Sequence, residues 1–445
     1  MRPGQTPTDS PFSPVRAFRF TLCTLLLPVL LFAQSASSQQ FTLIHVFTTT
    51  DNLNAGTSLA RDQFGNLYGA STLSALQCAG GISCGAIYKI TAAGQLSTLY
   101  RFQGPPDGTR PNAVVSVAGV SITNPATLYG TTMYGGTSAS QDCDQGAGCG
   151  TVFKLSSNGE EAILHSFTAP PNDGILPSAG VIAEPGPTPG SGEVLYGTTY
   201  YGGPYSMNGL PGEGTVFQLA NGVESVLYDF TGRADGALPF APLLFRQGAL
   251  YGTTVFGGSG SCVTSFGSGC GTVFKIVGTH ESVLYSFNNQ ADGGFPSASL
   301  IADSAGNLYG TAVLGGDLNC QPGGSGLPPG CGTVFKLSPS GQQAVLYTFH
   351  DGADGAWPSA ALVMDSAGNL YGTATLGGNL SCAEGQGCGT VFKIDTAGTF
   401  SVLHTFEGSD GSYPLALIQD NQGNLYGVAQ SGGLADDGVV YKLTP

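Results

Sequence analysis

The sequence predicts an all-β protein, a seven-bladed β-propeller with four antiparallel strands in each blade. Three observations predict it. The tripeptide Leu-Tyr-Gly recurs seven times at a mean spacing of about 60 residues. Each repeat holds four short segments rich in β-branched and aromatic residues, bounded by Gly, Asp, Ser or Pro. The chain also ends one strand short of a full repeat and begins with a spare strand of the missing type.

The Leu-Tyr-Gly copies define seven units, and the fifth unit shows their content. Its four segments are 298–302, 307–312 (NLYGTA), 332–337 (GTVFKL) and 344–349 (AVLYTF). Four strands per unit and a period above about 40 residues are typical of propeller blades, whereas solenoid coils are shorter. The tyrosines of the seven copies are Tyr68, Tyr129, Tyr196, Tyr251, Tyr309, Tyr371 and Tyr426.

The two ends of the repeat array predict how the ring closes. The seventh unit stops after its third strand, 438–443, and residues 41–47 (FTLIHVF) match the pattern of the fourth strands. We expect this N-terminal strand to complete the last blade, which leaves no open blade edge. The predicted propeller domain therefore spans residues 41–445.

The linked motifs GNLYGT, CGTVFKL, VLYxF and DGxxP recur in this order through nearly all of the chain after residue 40. They resemble the GloVer tandem repeat of exported bacterial proteins. A weaker similarity, in the turn Asp-Ser-Ala-Gly-Asn before Leu-Tyr, connects the chain with NHL-type propeller repeats. The resemblance implies a propeller fold and export, and it implies no particular activity. Many GloVer relatives carry a C-terminal surface anchor, which we do not expect here.

Residues 1–35 predict a secretory signal peptide, because Arg16 and Arg19 precede an apolar run at 20–32 and small residues follow it. The run is shorter than the roughly 20 residues that span a bilayer. We therefore expect a secreted protein, extracellular or periplasmic, with no transmembrane anchor after signal removal. The net charge of -15 argues against nucleic acid and anionic membranes as partners. We expect a monomer.

Ten of the 11 cysteines predict five local disulfides. They lie between the second and third strands of five units, and units three and seven lack both members together. In an exported protein this pattern favours disulfides over zinc ligands, because no histidine accompanies the paired thiols. The predicted pairs are Cys78–Cys84, Cys143–Cys149, Cys262–Cys270, Cys320–Cys331 and Cys382–Cys388.

The loops between second and third strands and the connections between units emerge on one side, which we call the disulfide face. Any binding site is expected there, near the central channel, because long loops on a rigid scaffold carry function. One aspartate per unit recurs on this face. It either starts a tight turn, which seven-fold repetition favours, or belongs to a ring that binds calcium, the one cofactor considered. These ring aspartates are Asp51, Asp107, Asp173, Asp235, Asp292, Asp354 and Asp410.

Three units break the symmetry of the repeat three residues after the ring aspartate. Phe295, Trp357 and Tyr413 stand there, on adjacent blades, and Trp357 is the sole tryptophan. Such aromatics can form a stacking platform for sugar rings, so these three are the ligand-binding candidates. The alternative is that they pack between blades, as we expect Leu176 and Leu238 to do.

No catalytic residue is predicted, because the sequence lacks HExxH, GxSxG and phosphate-binding motifs. We expect an exported non-catalytic binding or scaffold propeller, acting on a carbohydrate, another surface polymer or an envelope protein. The alternative is a polysaccharide lyase or glycoside hydrolase on the same scaffold, since a fold does not fix a function. Carboxyl groups with raised pKa near the channel favour the enzyme, and an aromatic shelf without them favours binding.

Overall fold

Seven four-stranded antiparallel sheets make up the fold of the computed structural model, and this is the predicted seven-bladed β-propeller. In the sheets of blades 1 to 6 the strands pair in chain order as a meander, whereas the last blade takes its outermost strand from the N-terminal segment Gln40–Val46. The predicted signal segment lies outside the described residues. The structure describes residues 39–74, 77–78, 83–117, 127–138, 140, 143, 147–171, 173–186, 193–205, 211–265, 267–321 and 327–444.

The blades are numbered 1 to 7 along the chain, and each runs from an innermost to an outermost strand. The innermost strands are Leu59–Arg61, Gly108–Val117, Ile182–Pro185, Leu244–Arg246, Ile301–Ala302, Val363–Met364 and Ser412–Gln419. The second strands are Leu67–Ser71, Thr127–Gly135, Glu193–Thr199, Ala249–Thr254, Leu308–Ala312, Leu370–Ala374 and Leu425–Ser431. The third strands are Ala86–Ile90, Thr151–Ser156, Thr215–Ala220, Thr272–Val277, Thr333–Leu337, Thr390–Ile394 and Val439–Thr444. The outermost strands are Leu96–Arg101, Glu161–Ser166, Val223–Asp229, His280–Ser286, Gln343–Thr348, Phe400–Thr405 and, for blade 7, Gln40–Val46. A two-stranded ladder joins Gly174–Ile175 to Tyr201–Gly202, and a 3₁₀ turn spans Ala383–Gly385.

The ring closes through the N-terminal strand, as the sequence predicts. Gln40–Val46 pairs antiparallel with Val439–Thr444 as the outermost strand of blade 7. On this strand the ring of Phe41 stacks on His404 of blade 6, with centroids 3.7 Å apart. The closing strand is therefore bound both to the last strand of the chain and to the neighbouring blade.

The tyrosine and the glycine of the Leu-Tyr-Gly motif each have a structural role, shown here for unit five. The Tyr309 hydroxyl donates a hydrogen bond of 3.0 Å to Asp303 in the preceding turn. Lys336 on the neighbouring strand lies over the Tyr309 ring, 5.5 Å from its centroid. A Cβ at Gly310 would lie 2.7 Å from Cζ of Phe335, so a side chain at that position requires the Phe335 ring to shift.

The apolar core lies between the blades. At every junction a buried phenylalanine just after an outermost strand meets an aromatic ring of the next blade edge-on, at 5.1–5.3 Å between centroids. Such pairs contribute about 0.5–1.5 kcal/mol each beyond their burial. The pairs are Phe47–Tyr88, Phe102–Phe153, Phe167–Phe217, Phe230–Phe274, Phe287–Phe335, Phe349–Phe392 and Phe406–Tyr441.

Five disulfides join the predicted partners, which confirms the prediction that the cysteines form local disulfides. Disulfides persist in oxidising compartments, so they are in keeping with a place outside the cytoplasm. No helix among the described residues has the length and apolar character to cross a membrane.

Candidate functional site

A central cavity of about 510 Å³ is lined by residues from all seven blades. Most of them lie on the innermost strands or directly before them. The chain enters these strands from the disulfide face, so the lining belongs to that end of the propeller. The volume falls within the range of about 300–1,000 Å³ that is typical of small-molecule sites.

The cavity lining combines hydroxyl and amide groups with apolar surface, and none of its described residues carries an ionisable side chain. One aromatic ring stands out. Phe240 is 45% exposed and makes an edge contact with Tyr200 at 5.8 Å between centroids. The polar lining residues are Thr57, Ser58, Asn112, Ser178, Ser297, Ser299 and Ser359.

A repeated turn aims these residues at the cavity. The residue three after the ring aspartate has a left-handed backbone in blades 2 to 7, which is uncommon outside glycine. In blade 4 this residue is Leu238, with φ of 55°, and its N–H donates to the carbonyl of Glu213 in blade 3 at 2.8 Å. Pro239 follows, and Phe240 then enters the cavity wall. The turn therefore both ties adjacent blades and sets the direction of the lining.

The three predicted aromatics occupy this left-handed position, with φ of 56–57°. Phe295 is 6% exposed and packs edge-on against Phe256 at 5.5 Å. Trp357 packs against the apolar cluster that contains Phe295, and Trp357 and Tyr413 both pack against a second apolar cluster. Their role in stacking sugars stays a prediction.

Phe240 is the aromatic that sequence reasoning missed. It stands five residues after Asp235, where Ser178, Ser297 and Ser359 stand in three other units. This replacement was visible as a break in the repeat. The sequence did not reveal its importance, because the direction of the side chain depends on the left-handed turn before it.

Each ring aspartate closes a turn on the disulfide face. Its carboxylate accepts a hydrogen bond from a backbone N–H three to five residues earlier. It also faces a tyrosine hydroxyl or a histidine nitrogen of the preceding outermost strand at 2.8–3.4 Å. This geometry fits the turn-forming interpretation, and a calcium role for the ring stays a prediction. The backbone donors are Thr48, Gln103, Thr168, Thr231, Asn288, His350 and Glu407.

Three blade junctions add a glutamate beside the ring aspartate. Burial, followed by the charge of the neighbouring aspartate, raises the pKa of Glu161, Glu224 and Glu281 to about 7. All three lie at or next to the start of an outermost strand, and none lines the central cavity. The register-equivalent residues of the other blades are Gln343, Phe400, Phe41 and Leu96.

One family profile matches the chain three times, at residues 29–266, 143–324 and 267–445. The chain belongs to the Gloeobacter/Verrucomicrobia repeat family. This confirms the resemblance drawn from the recurring motifs. No functionally curated protein matches the sequence of this family member.

Solved structures similar to this repeat protein include two lyases. Oligogalacturonate lyase from Vibrio parahaemolyticus is 10% identical, with 92% of this chain and 94% of that chain covered and a TM-score of 0.52. A catalytically inactive variant of virginiamycin B lyase from Staphylococcus aureus with quinupristin is 11% identical, with 91% and 100% covered and a TM-score of 0.51. At this level of identity they share the fold alone.

Proposed function

We propose that the protein is an exported binding propeller whose central cavity holds a neutral sugar or the end of a glycan chain. The observation that carries the proposal is the half-exposed ring of Phe240 beside the hydroxyl and amide groups of the cavity wall. An aromatic face suits the apolar face of a sugar ring, and the hydroxyl groups match those of the sugar. An acidic protein with an uncharged cavity favours a neutral ligand over an anionic one.

The same cavity supports binding rather than bond cleavage. Glycoside hydrolysis needs two carboxyl groups that flank the bond, and a lyase needs a positioned base. The described lining residues include neither. The glutamates with raised pKa lie at the outermost strands, away from Phe240. The likeness to lyases is one of fold, so it does not favour cleavage.

A thermal-shift screen of the mature protein with neutral oligosaccharides tests the proposal. We would use cellotriose, maltotriose, xylotriose and chitotriose. A ligand at about 100 times its Kd adds about 2.7 kcal/mol to the free energy of unfolding, which a melting curve resolves. The key variant is Phe240→Ser, which installs the residue that three other units carry at this position. The matched control is Trp357→Phe, which keeps an aromatic at the blade junction.

We expect a shift with at least one sugar in the wild type and in Trp357→Phe, and its loss in Phe240→Ser. If the shift survives Phe240→Ser and is lost in Trp357→Phe, the ligand sits on the aromatic platform instead. The absence of any shift with the wild type overturns the proposal.

A further inference from the structure

The junction between blades 2 and 3 holds a mixed set of metal-ligating side chains. His165 Nε2 and one carboxylate oxygen each of Asp173 and Glu224 lie within 4.8 Å of one another. His165 belongs to the outermost strand of blade 2, Asp173 to the loop after it, and Glu224 to the outermost strand of blade 3. An ion held by all three would connect the two blades.

Two of these three side chains carry a buried atom without a hydrogen bond. Neither His165 Nε2 nor Glu224 Oε1 makes a hydrogen bond to any described residue, although both atoms are shielded from solvent. Buried polar atoms are almost always paired, and although Glu161 Oε1 and Glu281 Oε1 also lack hydrogen bonds, this junction places two unpaired atoms in one cluster, which favours a shared ligand. His165 Nε2 lies 3.4 Å from Asp173 Oδ2. Two ligands of a tetrahedral zinc ion, with bonds of about 2.0–2.1 Å, are separated by about 3.4 Å.

The charges of the cluster favour a dication. The carboxylates of Asp173 and Glu224 lie close together, so two negative charges meet at this junction. Asp229 on the same strand adds further negative charge. Two ionised carboxylates and a neutral imidazole around a dication sum to zero charge, which removes the repulsion between the carboxylates.

Asp173 is held in the orientation that a ligand needs. Its Oδ2 accepts hydrogen bonds from the N–H of Thr168 at 2.8 Å and from the Thr168 hydroxyl at 3.1 Å. Its Oδ1 accepts from the N–H of Gly174 at 2.7 Å. Outer groups of this kind fix the first ligands of protein metal sites.

The seven junctions provide an internal comparison. Among the described residues, the junction of blades 2 and 3 alone combines histidine, aspartate and glutamate. His45 Nε2 also lacks a hydrogen bond and lies 3.4 Å from Asp51, but Leu96 takes the place of the glutamate there. The sets at the other junctions are Tyr100/Asp107/Glu161, Tyr228/Asp235/Glu281, Tyr285/Asp292/Gln343, Tyr347/Asp354/Phe400 and His404/Asp410/Phe41.

We propose that His165, Asp173 and Glu224 bind a transition-metal dication, with Zn²⁺ as the best match to one imidazole and two carboxylates. Calcium prefers six to eight oxygen ligands, whereas zinc accepts three protein ligands and leaves a fourth position open to water. The ion ties the outermost strands of blades 2 and 3 together at a junction that otherwise holds two repelling carboxylates.

The test uses tag-free mature protein, stripped with EDTA and titrated with ZnSO₄ in a calorimeter and in thermal melts. His165→Tyr installs the residue of the two neighbouring junctions, and Glu224→Gln installs that of the blade 4–5 junction, so both changes already occur within this fold. His45→Tyr is the matched control, because it removes a histidine with an equally unpartnered Nε2. Circular dichroism checks that each variant folds.

We expect one Zn²⁺ per chain and a rise of several degrees in melting temperature, both lost in His165→Tyr and Glu224→Gln and retained in His45→Tyr. Zinc binding that survives His165→Tyr overturns the proposal, as does a lack of binding at about 1 mM Zn²⁺ or a response to CaCl₂ alone. A second measurement needs no variant. Anomalous scattering at the zinc edge from crystals of the wild type must place the ion between His165 and Glu224, and an ion elsewhere contradicts the assignment.

Discussion

Replacing Phe41 by alanine tests whether the N-terminal strand holds the ring shut. The Phe41 ring stacks on His404 at 3.7 Å and lies 5.4 Å from Tyr441 and 5.8 Å from Phe406. Truncating a fully buried phenylalanine costs about 3–5 kcal/mol. Phe41 is partly buried, so we expect Phe41→Ala to lower the free energy of unfolding by about 2–3 kcal/mol.

Two further variants make the measurement specific. Phe400→Ala removes the register-equivalent ring of blade 6, which stacks on Tyr347 at the same 3.7 Å within the ring of blades. Leu43→Ala alters the closing strand where the side chain is 37% exposed. Urea denaturation followed by circular dichroism gives the three costs. A closed ring predicts that Phe41→Ala costs as much as Phe400→Ala to within about 1 kcal/mol. A cost no greater than that of Leu43→Ala refutes closure by this strand.

Two other features predict measurable effects on stability. Gly310→Ala should lower the free energy of unfolding by about 1–3 kcal/mol, because the new Cβ meets Cζ of Phe335 at 2.7 Å. Adding Phe335→Leu to this variant should restore part of the lost stability. An unchanged urea midpoint in Gly310→Ala contradicts the close approach. The pKa of Glu281, raised from 4.5 to about 7 by burial and then by Asp235, means that the folded state holds this proton more tightly than the unfolded state. The contribution of protonated Glu281 to the free energy of unfolding is therefore full below pH 4.5 and is lost as the pH rises through 7. We expect the melting temperature to fall over this interval and to fall less in Glu281→Gln. If the melting temperature of the variant has the same dependence on pH, Glu281 does not make this contribution.

The fold could be predicted well from the sequence because the same strand and turn motifs recur in seven repeats. Tyr309 and Gly310 recur in every unit, and the aspartate and lysine that contact Tyr309 recur in most units, so one unit indicates the structure of the others. The closing strand followed from counting strands, and the disulfides followed from pairs of cysteines within one loop. Each of these inferences needs information from a single repeat or from the two chain ends.

The candidate sites were harder to predict because they combine residues from different repeats. Phe240 reaches the cavity through a left-handed turn that the sequence does not encode in an obvious way. His165 and Glu224 are 59 residues apart in the chain and meet at the junction of blades 2 and 3. Trp357 was predicted as a ligand-binding residue because it breaks the symmetry of the repeat, yet its ring packs against apolar clusters between blades.

A crystal structure of the mature protein with the oligosaccharide that gives the largest thermal shift would locate the ligand. Binding in the central cavity predicts a sugar ring against Phe240, with its hydroxyl groups turned toward the side chains of Ser297 and Ser359. A sugar bound beside Trp357, or at the outer junctions near Glu281, would contradict the assignment of the cavity as the binding site.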